Sequence, residues 1–470
     1  MSLTKKITYN TAVHTFGKFF ASALGVIFIG LLARYLGTEG YGHFTTIYAY
    51  LFFFAIIGDL GLYLITINEL GRAGVDVKKI YSNIFTMRFV SGVILMLVAC
   101  GLIWMFPYPL LVKIGTLIIS ISVLLQMGDQ ILVALFQKEM QTKFAAFAEI
   151  IGKIFILGLV ILAVNLNWSF YAILWIISIG VALHFLINLF FAHRLLNFKF
   201  AFDKEIWQNI LKKSWPIATY MVFSMIYFKA DTIILSLYHS AETVGLYGAP
   251  YKILEALIAF PAIFMGLVSP HLSAAFSKNN LEDFKRIFQK AFDGLSLIVW
   301  PMIFGTIALS SPIIYFIVGK AFSASATILQ ILIIATGIIF LAHLSTFAVV
   351  AINKQKSMMK YYIFAAVLAF VLYFIFIPKY SFWAAGIITI IVELFILIVS
   401  WGMVKKTLNF KTNFLISLKS LLASIIMFII LYFSNFNLLI SVILGGFVYI
   451  SLIYMLGILD KKLITSFFER

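Results

Sequence analysis

Charged residues are scarce in this chain of 470 residues: only 11% are Asp, Glu, Lys or Arg, whereas 63% are hydrophobic. A water-soluble domain cannot use so much apolar sequence, because its surface must be covered by polar side chains. The composition therefore excludes a soluble globular protein. It predicts an all-α protein whose helices are embedded in a bilayer.

Cysteine is nearly absent, since Cys100 is the only one, and this rules out an internal disulfide and a thiol-ligated metal site. The seven histidines form no HExxH or other metal-ligand spacing. No GxxxxGK[ST] stretch is present, so the chain is not its own ATPase. We therefore expect a protein that is not an enzyme and holds no metal or cofactor, with H⁺ or Na⁺ coupling left open.

Long apolar runs dominate the chain. A membrane-spanning helix needs about 20 apolar residues, and the sequence offers about fourteen such runs. The predicted spans are 11–36, 42–67, 81–105, 109–136, 142–165, 168–196, 213–238, 243–275, 286–318, 323–352, 357–377, 381–403, 413–434 and 437–459. The connection 197–216 has apolar residues at helical spacing among charged ones, which predicts a short helix on the inner surface, with a solvated loop as the alternative.

The formal net charge of +17 raises the question of a nucleic-acid partner. The basic residues, however, concentrate in alternate connections between the predicted spans, and the other connections with the span ends beside them hold only Lys113, Lys320 and Lys379. This asymmetry is the positive-inside rule. It predicts a multi-pass protein of the cell membrane with both termini in the cytoplasm, and it argues against nucleic acid.

One polar segment, which we call the corner, occurs twice in the sequence. The stretch "ARYLGTEGYGHF" at 33–44 returns in reduced form as "SLYHSAETVGLY" at 236–247, with an offset of 203 residues. Six pairs are identical: Leu32/Leu235, Tyr35/Tyr238, Glu39/Glu242, Gly42/Gly245, Tyr48/Tyr251 and Leu51/Leu254. A chance match between segments rich in Leu and Tyr is the alternative.

The offset encloses six predicted helices, an even number, so both copies enter the membrane in the same sense. Parallel repeats of this kind are related by an axis along the membrane normal and hold substrate at their interface. The prediction is an N-terminal lobe at 1–197, a C-terminal lobe at 198–410 and an accessory helix pair at 411–470. Two lobes of this kind are typical of a transporter.

Basic residues inside the predicted spans matter, because an ionised side chain at the bilayer centre costs at least about 2.5–3.5 kcal/mol. Six of them are candidates for a site: Lys18, Arg34, Arg88, Lys153, Lys229 and Lys252. Arg34 and Arg88 lie near helix ends, where their side chains can extend to the interface. Lys153 follows Glu149 by four residues and Lys252 precedes Glu255 by three, so each can form a pair within its helix.

Lys18 and Lys229 have no such ordinary explanation, and together with Lys252 they would place cations at several depths. Ammonium groups suit a pyrophosphate. We therefore predict that Lys18, Lys229, Lys252 and Arg34 bind an anionic headgroup. Among the acids, the candidates for ion coupling or a contact between lobes are Asp59, Asp231 and Glu255, and Asp129 and Glu393 also lie in apolar runs. Hydrogen bonding to helix ends or hydroxyls is the alternative.

The eighth predicted helix contains Pro250, Pro261 and Pro270. Proline removes a backbone donor and clashes with the preceding turn. The sequence therefore predicts that this helix is bent or broken, as a gating helix could be.

The segments "LLARYLGTEGYGHF…IGDLGLYLITINELGR" and "KADTIILSLYHSAETVGLYGAPYKILEAL" resemble the polysaccharide-biosynthesis (Wzx-type O-antigen) flippases. These belong to the multidrug/oligosaccharidyl-lipid/polysaccharide exporter superfamily. The resemblance covers about residues 8–410, and Asp231 with the Gly-x-Tyr and Ala of "GLYGA" fits the family pattern best, whereas Pro250 and Lys252 lie where members vary. It implies a V-shaped bundle of two six-helix lobes, with two extra C-terminal helices.

The resemblance further implies a flippase that moves a polyprenyl-diphosphate-linked oligosaccharide from the inner to the outer leaflet through a central cavity. Polysaccharide-assembly proteins are then candidate partners besides the lipid-linked glycan and the bilayer. Two alternatives stay open. A multidrug antiporter of the same superfamily would need an acidic cavity, and a membrane polymerase or ligase would be expected to carry a large outer loop, whereas the outer connections here are short.

Overall fold

The computed structural model describes residues 3–458 except 60, 72, 73, 75, 410 and 435, and the side chains of 3–16, 18, 19, 64, 68 and 216–228 are outside the described part. Over those residues the chain is helical and has no strand. Two short 3₁₀ turns, Ile103–Met105 and Lys320–Phe322, accompany the α-helices.

The α-helices of the described chain follow one another with short connections. They are α1 (Leu3–Asp59), α2 (Leu62–Leu70), α3 (Val77–Leu102), α4 (Leu110–Lys138), α5 (Lys143–Asn165), α6 (Phe170–Leu195), α7 (Lys204–Tyr238), α8 (Ala241–Ser277), α9 (Leu281–Ala308), α10 (Ser310–Ile317), α11 (Ser325–Ala351), α12 (Gln355–Leu408), α13 (Leu415–Phe433) and α14 (Leu438–Met455).

Eleven segments of the described residues are long and apolar enough to cross a membrane. Two of them, of 40 and 54 residues, are far longer than one crossing needs. Each contains one residue with non-helical backbone angles, Gly37 in α1 and Ser381 in α12. Each therefore corresponds to two of the predicted spans, and α7 covers the predicted span 213–238. The prediction of an all-α polytopic membrane protein is confirmed.

Polar residues mark where several helices begin. The side chains of Asp76, Ser169 and Asp203 accept backbone N–H bonds at the starts of α3, α6 and α7. Asn280 and Asn437 do the same for α9 and α14. Such caps satisfy backbone N–H groups that have no acceptor within the helix. Polar residues at these positions therefore help to determine where the five helices begin.

The chain forms two compact units, Met1–Gly248 and Ala249–Arg470. In the first unit α1 packs on α4, α5 and α7, and α4 packs on α6. In the second, α11 packs on α9 and α12, and α9 packs on α13. The predicted division at residues 197 and 410 stays a prediction.

The connection before α7 differs from the prediction of a separate surface helix. Helix α7 begins at Lys204 and runs without interruption for 35 residues, so the amphipathic stretch is its first part. The separate surface helix is therefore wrong. The position at which α7 starts is explained by Asp203. Its carboxylate accepts hydrogen bonds from the N–H groups of Glu205 and Ile206 and so caps the helix at that point.

The residues just before α7, 197–203, form a strap along α3. The N–H groups of Lys199, Ala201 and Asp203 donate to the side chains of Ser82, Thr86 and Asn83, in that order. The Lys79 ammonium lies 2.7 Å from the Asp203 carboxylate. This lysine, with the N–H of Ile206, holds the pKa of Asp203 below its usual value. The strap thus fixes where α7 starts relative to α3.

Helix α8 contains its three prolines without a break. Pro250, Pro261 and Pro270 all lie inside one α-helix of 37 residues. The sequence predicted that the eighth helix is bent or broken, and the prediction of a break is wrong. The loss of three backbone donors is tolerated inside the helix, as it is in many membrane helices.

Candidate functional site

The two copies of the repeated corner lie against each other with almost no space between their backbones. An ideal Cβ placed on Gly42 would be 1.7 Å from the carbonyl oxygen of Ala241, and one on Gly245 would be 2.0 Å from the carbonyl oxygen of Thr38. Real Cβ atoms do not come this close to another atom. Only glycine therefore fits at these two positions.

The contact is symmetric in the numbering of the repeat. Thr38 and Ala241 are separated by the same offset of 203 residues as Gly42 and Gly245, so each glycine meets the residue that corresponds to the other's partner. Small residues four apart on each helix let two membrane helices approach at this distance. An arrangement in which i meets j and j meets i is typical of a two-fold interface.

Lys229 lies on α7, which also packs on α1. Its ammonium is 5.6 Å from the centre of the Phe52 ring of α1, and its side chain is only partly exposed. A cation over the face of an aromatic ring is attracted by the ring quadrupole. The predicted span 213–238 therefore holds a lysine where α7 packs on α1.

Asp231, two residues after Lys229, is fully buried and has a different role. Its carboxylate accepts a 2.6 Å hydrogen bond from the Tyr247 hydroxyl and bonds from the N–H and hydroxyl of Thr232. Tyr247 lies on α8, so this network joins α7 to the start of α8. Asp231 thus connects the end of α7 to the second corner, and its part in ion coupling or a contact between lobes stays a prediction.

Lys252 and Glu255 form the predicted pair within α8, with a nitrogen–oxygen distance of 2.7 Å. Arg34 is exposed on α1, three residues before the kink at Gly37. The side chain of Lys18 lies outside the described residues. The binding of a headgroup by Lys18, Arg34, Lys229 and Lys252 therefore stays a prediction.

Arg88 is not at the interface, and the interpretation that it extends there is wrong. Its side chain is 1% exposed, and its guanidinium lies 3.1 Å from Asp59. It also donates to the carbonyl oxygens of Met127 and Gly58 and to the side chain of Gln130. Because α1 ends at Asp59, the Gly58 carbonyl has lost its helical partner, and Arg88 supplies a donor there.

A polar cavity of about 520 Å³ lies within the bundle formed by α1, α4, α5 and α6. This polar cavity is large enough for many water molecules. Its wall includes seven polar side chains: Tyr48, Gln126, Asp129, Gln130, Glu149, Lys153 and His184. The predicted pair of Glu149 and Lys153 is confirmed at 3.0 Å, and the same ammonium donates to the carbonyl oxygen of Ala21 on α1.

Asp129 faces this cavity from α4 and is held by two residues of α6. Asn188 donates to its carboxylate at 2.8 Å, and a ring nitrogen of His184 is 3.7 Å from the other carboxylate oxygen. Asn188 and His184 contact each other at 3.1 Å. Sequence reasoning missed both partners, although their spacing of four residues places them on one helical face and was a usable signal.

Glu393 of α12 is buried in the second unit, at 5% exposure. Within the described part of the chain, no group of three or more His, Cys, Asp and Glu side chains could hold a metal ion. Of the membrane carboxylates discussed so far, Asp59, Asp231 and Glu255 have a basic or hydroxyl partner in direct contact. Asp129 and Glu149 combine such partners with a position in the wall of a cavity, and Asp129 is the more deeply buried of the two.

Comparison with known structures shows the fold. The structure described as "Lipid II flippase MurJ, inward closed conformation" is 19% identical, with a TM-score of 0.78 over 94% of this chain and 98% of that one. An inward-facing multidrug resistance MATE family transporter of the MOP superfamily is 12% identical, with a TM-score of 0.68 over 85% of this chain and 98% of the other. These identities are low, and the similarity is one of fold.

A third similar structure is a MOP superfamily transporter from Pyrococcus furiosus, described as having a binding pocket of reverse polarity. It is 12% identical, with a TM-score of 0.57 over 85% of this chain and 95% of that one. No curated protein sequence matches the chain. Residues 7–276, more than half of the sequence, match the family described as "Polysaccharide biosynthesis protein". The resemblance drawn from the two corners is confirmed, and the chain belongs to the polysaccharide biosynthesis protein family.

Proposed function

We propose that this protein is a flippase that moves a polyprenyl-diphosphate-linked oligosaccharide from the cytoplasmic to the outer leaflet by alternating access. The observation that carries the proposal is the position of Lys229, a lysine of the predicted span 213–238 that lies against Phe52 of α1. Family membership and a fold shared with a lipid II flippase support a lipid-linked substrate.

The Lys229 ammonium is costly to place within a bilayer. An ammonium group in a membrane helix is expensive, and such residues often mark substrate or ion pathways. The Phe52 ring is one of the groups that stabilise the Lys229 ammonium. A pyrophosphate passing Lys229 would gain a charge-assisted contact there, whereas a cationic drug would be repelled. The sign of the charge thus favours the flippase over the multidrug antiporter.

The topology of the proposal follows from the distribution of basic residues. Both termini lie in the cytoplasm of a cell-membrane protein, and the glycan enters from that side. Transport changes no covalent bond, so the protein acts as a transporter and not as a polymerase or ligase.

We infer that protonation of Asp129 couples transport to the proton gradient. This carboxylate lies in the wall of the polar cavity, and a ring nitrogen of His184 is 3.7 Å from it. Carboxylates within the membrane mark proton pathways, and a cavity gives water access to this one. The inference is tested by Asp129→Asn, which is expected to abolish the response of transport to an imposed proton gradient while leaving downhill exchange measurable.

The proposed function is tested in liposomes containing the purified protein and a fluorescent polyprenyl-diphosphate-linked glycan. Transfer between leaflets is read from quenching by a membrane-impermeant reductant, and the lipid is recovered afterwards for mass analysis. Lys229→Ala is expected to slow transfer at least tenfold, and Lys229→Arg is expected to retain a larger part of it. Lys113→Ala, near the start of α4, serves as the matched control.

Two results would contradict the proposal. A recovered lipid whose glycan has been lengthened or transferred would show a membrane enzyme. Transfer by Lys229→Ala at the rate of the unchanged protein would remove Lys229 from the pathway, and saturable uptake of a cationic dye in place of the glycan lipid would favour the multidrug antiporter.

A further inference from the structure

A second concave surface lies on the first unit, and it shares no lining residue with the polar cavity. It is a groove of about 570 Å³ between α3, α6 and the strap that precedes α7. We call it the phenylalanine groove, since six rings line it: Phe85, Phe89, Phe185, Phe190, Phe198 and Phe200.

The strap builds one wall of this groove. Its three backbone bonds to Ser82, Asn83 and Thr86 hold it on α3. Phe198 is thereby inserted edge-on against Phe85, at 5.0 Å between ring centres, and Phe200 lies 5.8 Å from Phe89. The wall is therefore fixed by hydrogen bonds as well as by ring packing.

The walls of the groove face outward. Phe200 is 66% exposed, Leu186 is 58% exposed and Phe190 is 52% exposed. Leu186 and Phe190 lie on α6, a membrane-spanning helix. An apolar surface of this kind is covered by acyl chains when the helix is in a bilayer.

One end of the phenylalanine groove is basic. Arg194 and Lys199 line it together with His193, at the end of α6 and the beginning of the strap. The Arg194 guanidinium lies over the Phe190 ring at 4.4 Å, which holds the charge at the rim of the apolar wall. In the described part of the chain neither Arg194 nor Lys199 forms an ion pair with a carboxylate of the protein.

We propose that the phenylalanine groove is a binding site for an anionic phospholipid. One acyl chain lies along the phenylalanine rings, and the phosphate lies between Arg194 and Lys199. Charge complementarity selects this occupant, because basic pockets between membrane helices on the cytoplasmic side bind anionic headgroups. A zwitterionic lipid fills the apolar part equally well but carries no net negative charge toward the two basic residues.

The proposal is tested by native mass spectrometry of the delipidated full-length protein titrated with palmitoyl-oleoyl phosphatidylglycerol or with the matching phosphatidylcholine. The first phosphatidylglycerol is expected to bind about tenfold more tightly than phosphatidylcholine. The double variant Arg194→Glu/Lys199→Glu is expected to lose this preference. Lys354→Glu/Lys356→Glu, a charge reversal at two exposed lysines that do not line the groove, is the matched control and is expected to keep it.

The apolar half of the site is tested separately by Leu186→Trp, which fills the groove without changing charge. This variant is expected to weaken both lipids by a similar factor, whereas the charge reversal weakens only phosphatidylglycerol. Equal affinity of the unchanged protein for the two lipids would overturn the proposal. Displacement of phosphatidylglycerol by an equimolar polyprenyl phosphate, lost in the same charge-reversal variant, would instead assign the groove to the isoprenoid carrier and would also overturn it.

Discussion

The contact between the two repeated corners predicts a specific effect of Gly42→Ala. The added Cβ would lie 1.7 Å from the carbonyl oxygen of Ala241, and Cβ atoms are essentially never closer than 3.0 Å to another atom. The part of α1 that follows the kink at Gly37 and the start of α8 must therefore move apart by more than 1 Å along this line. Neither partner atom is a flexible side chain, so the strain cannot be relieved by a rotamer change.

Overpacking of this kind costs about 1–3 kcal/mol. If the closed corner is in equilibrium with a separated one, the same free energy shifts that equilibrium by about 5–150-fold. We expect Gly42→Ala to lower the thermal midpoint in detergent. We also expect it to raise the rate at which a thiol reagent labels Thr38→Cys, in a background where the native Cys100 is serine.

The symmetry of the contact sharpens the test. Gly245→Ala forces the same separation from the other side, so Gly42→Ala/Gly245→Ala should cost little more than either single change. Gly158→Ala on α5, where a Cβ meets nothing within 4 Å, is the control and should leave both readouts unchanged or raise the midpoint. Additive losses in the double variant, or labelling that does not change in the single ones, would refute the reasoning.

Three further predictions rest on single contacts. Arg88→Met leaves Asp59 as an uncompensated buried charge and should destabilise the protein by about 3–5 kcal/mol; a midpoint in chemical or thermal unfolding equal to that of the unchanged protein would contradict this. Tyr247→Phe removes the donor to the Asp231 carboxylate and should cost about 1–3 kcal/mol, measured in the same way, with exposed Tyr454→Phe as the control. Asp203 has a folded-state pKa below that of the unfolded chain, so its contribution is present at neutral pH and is lost as pH falls through the folded value. The protection factors of the strap amides, which correct for the intrinsic exchange rate at each pH, should therefore fall at acid pH, and Asp203→Asn should show the lower protection already at neutral pH; a strap whose protection is unaffected by the substitution would show that the pair does not hold it.

Local patterns in the sequence predicted much of this structure. Apolar runs of sufficient length predicted the spans, because in a bilayer the backbone must satisfy its own hydrogen bonds. The pairs Glu149/Lys153 and Lys252/Glu255 were predictable because residues three or four apart share a helix face.

Contacts between distant residues were not predictable in the same way. Arg88 near a helix end suggested an interfacial side chain, yet its partner Asp59 lies on another helix, 29 residues earlier. Similarly, the start of α7 depends on a cap and a strap, and the neighbouring amphipathic spacing fits either a surface helix or the first turns of a longer one. Sequence spacing alone does not distinguish these outcomes.

The polar cavity shows the same limit at the level of the site. Asp129 was identifiable as a carboxylate in an apolar run, but its partners come from α6 and its cavity from four helices. The repeat was visible in the sequence as six identities. The contact between its two copies at the glycines is a feature of the tertiary structure. Spacing along a chain does not give the distance between its helices, so the sequence did not predict this contact.

The corner contact also bears on how such a chain could arise. Because Gly42 meets Ala241 in the way that Gly245 meets Thr38, the geometry is that of a homodimer interface within one polypeptide. A half-length chain with a single corner would make the same contact with a second copy of itself. Duplication and fusion of its gene would preserve that contact while freeing the two halves to diverge, and after fusion a substitution at either glycine would still strain both.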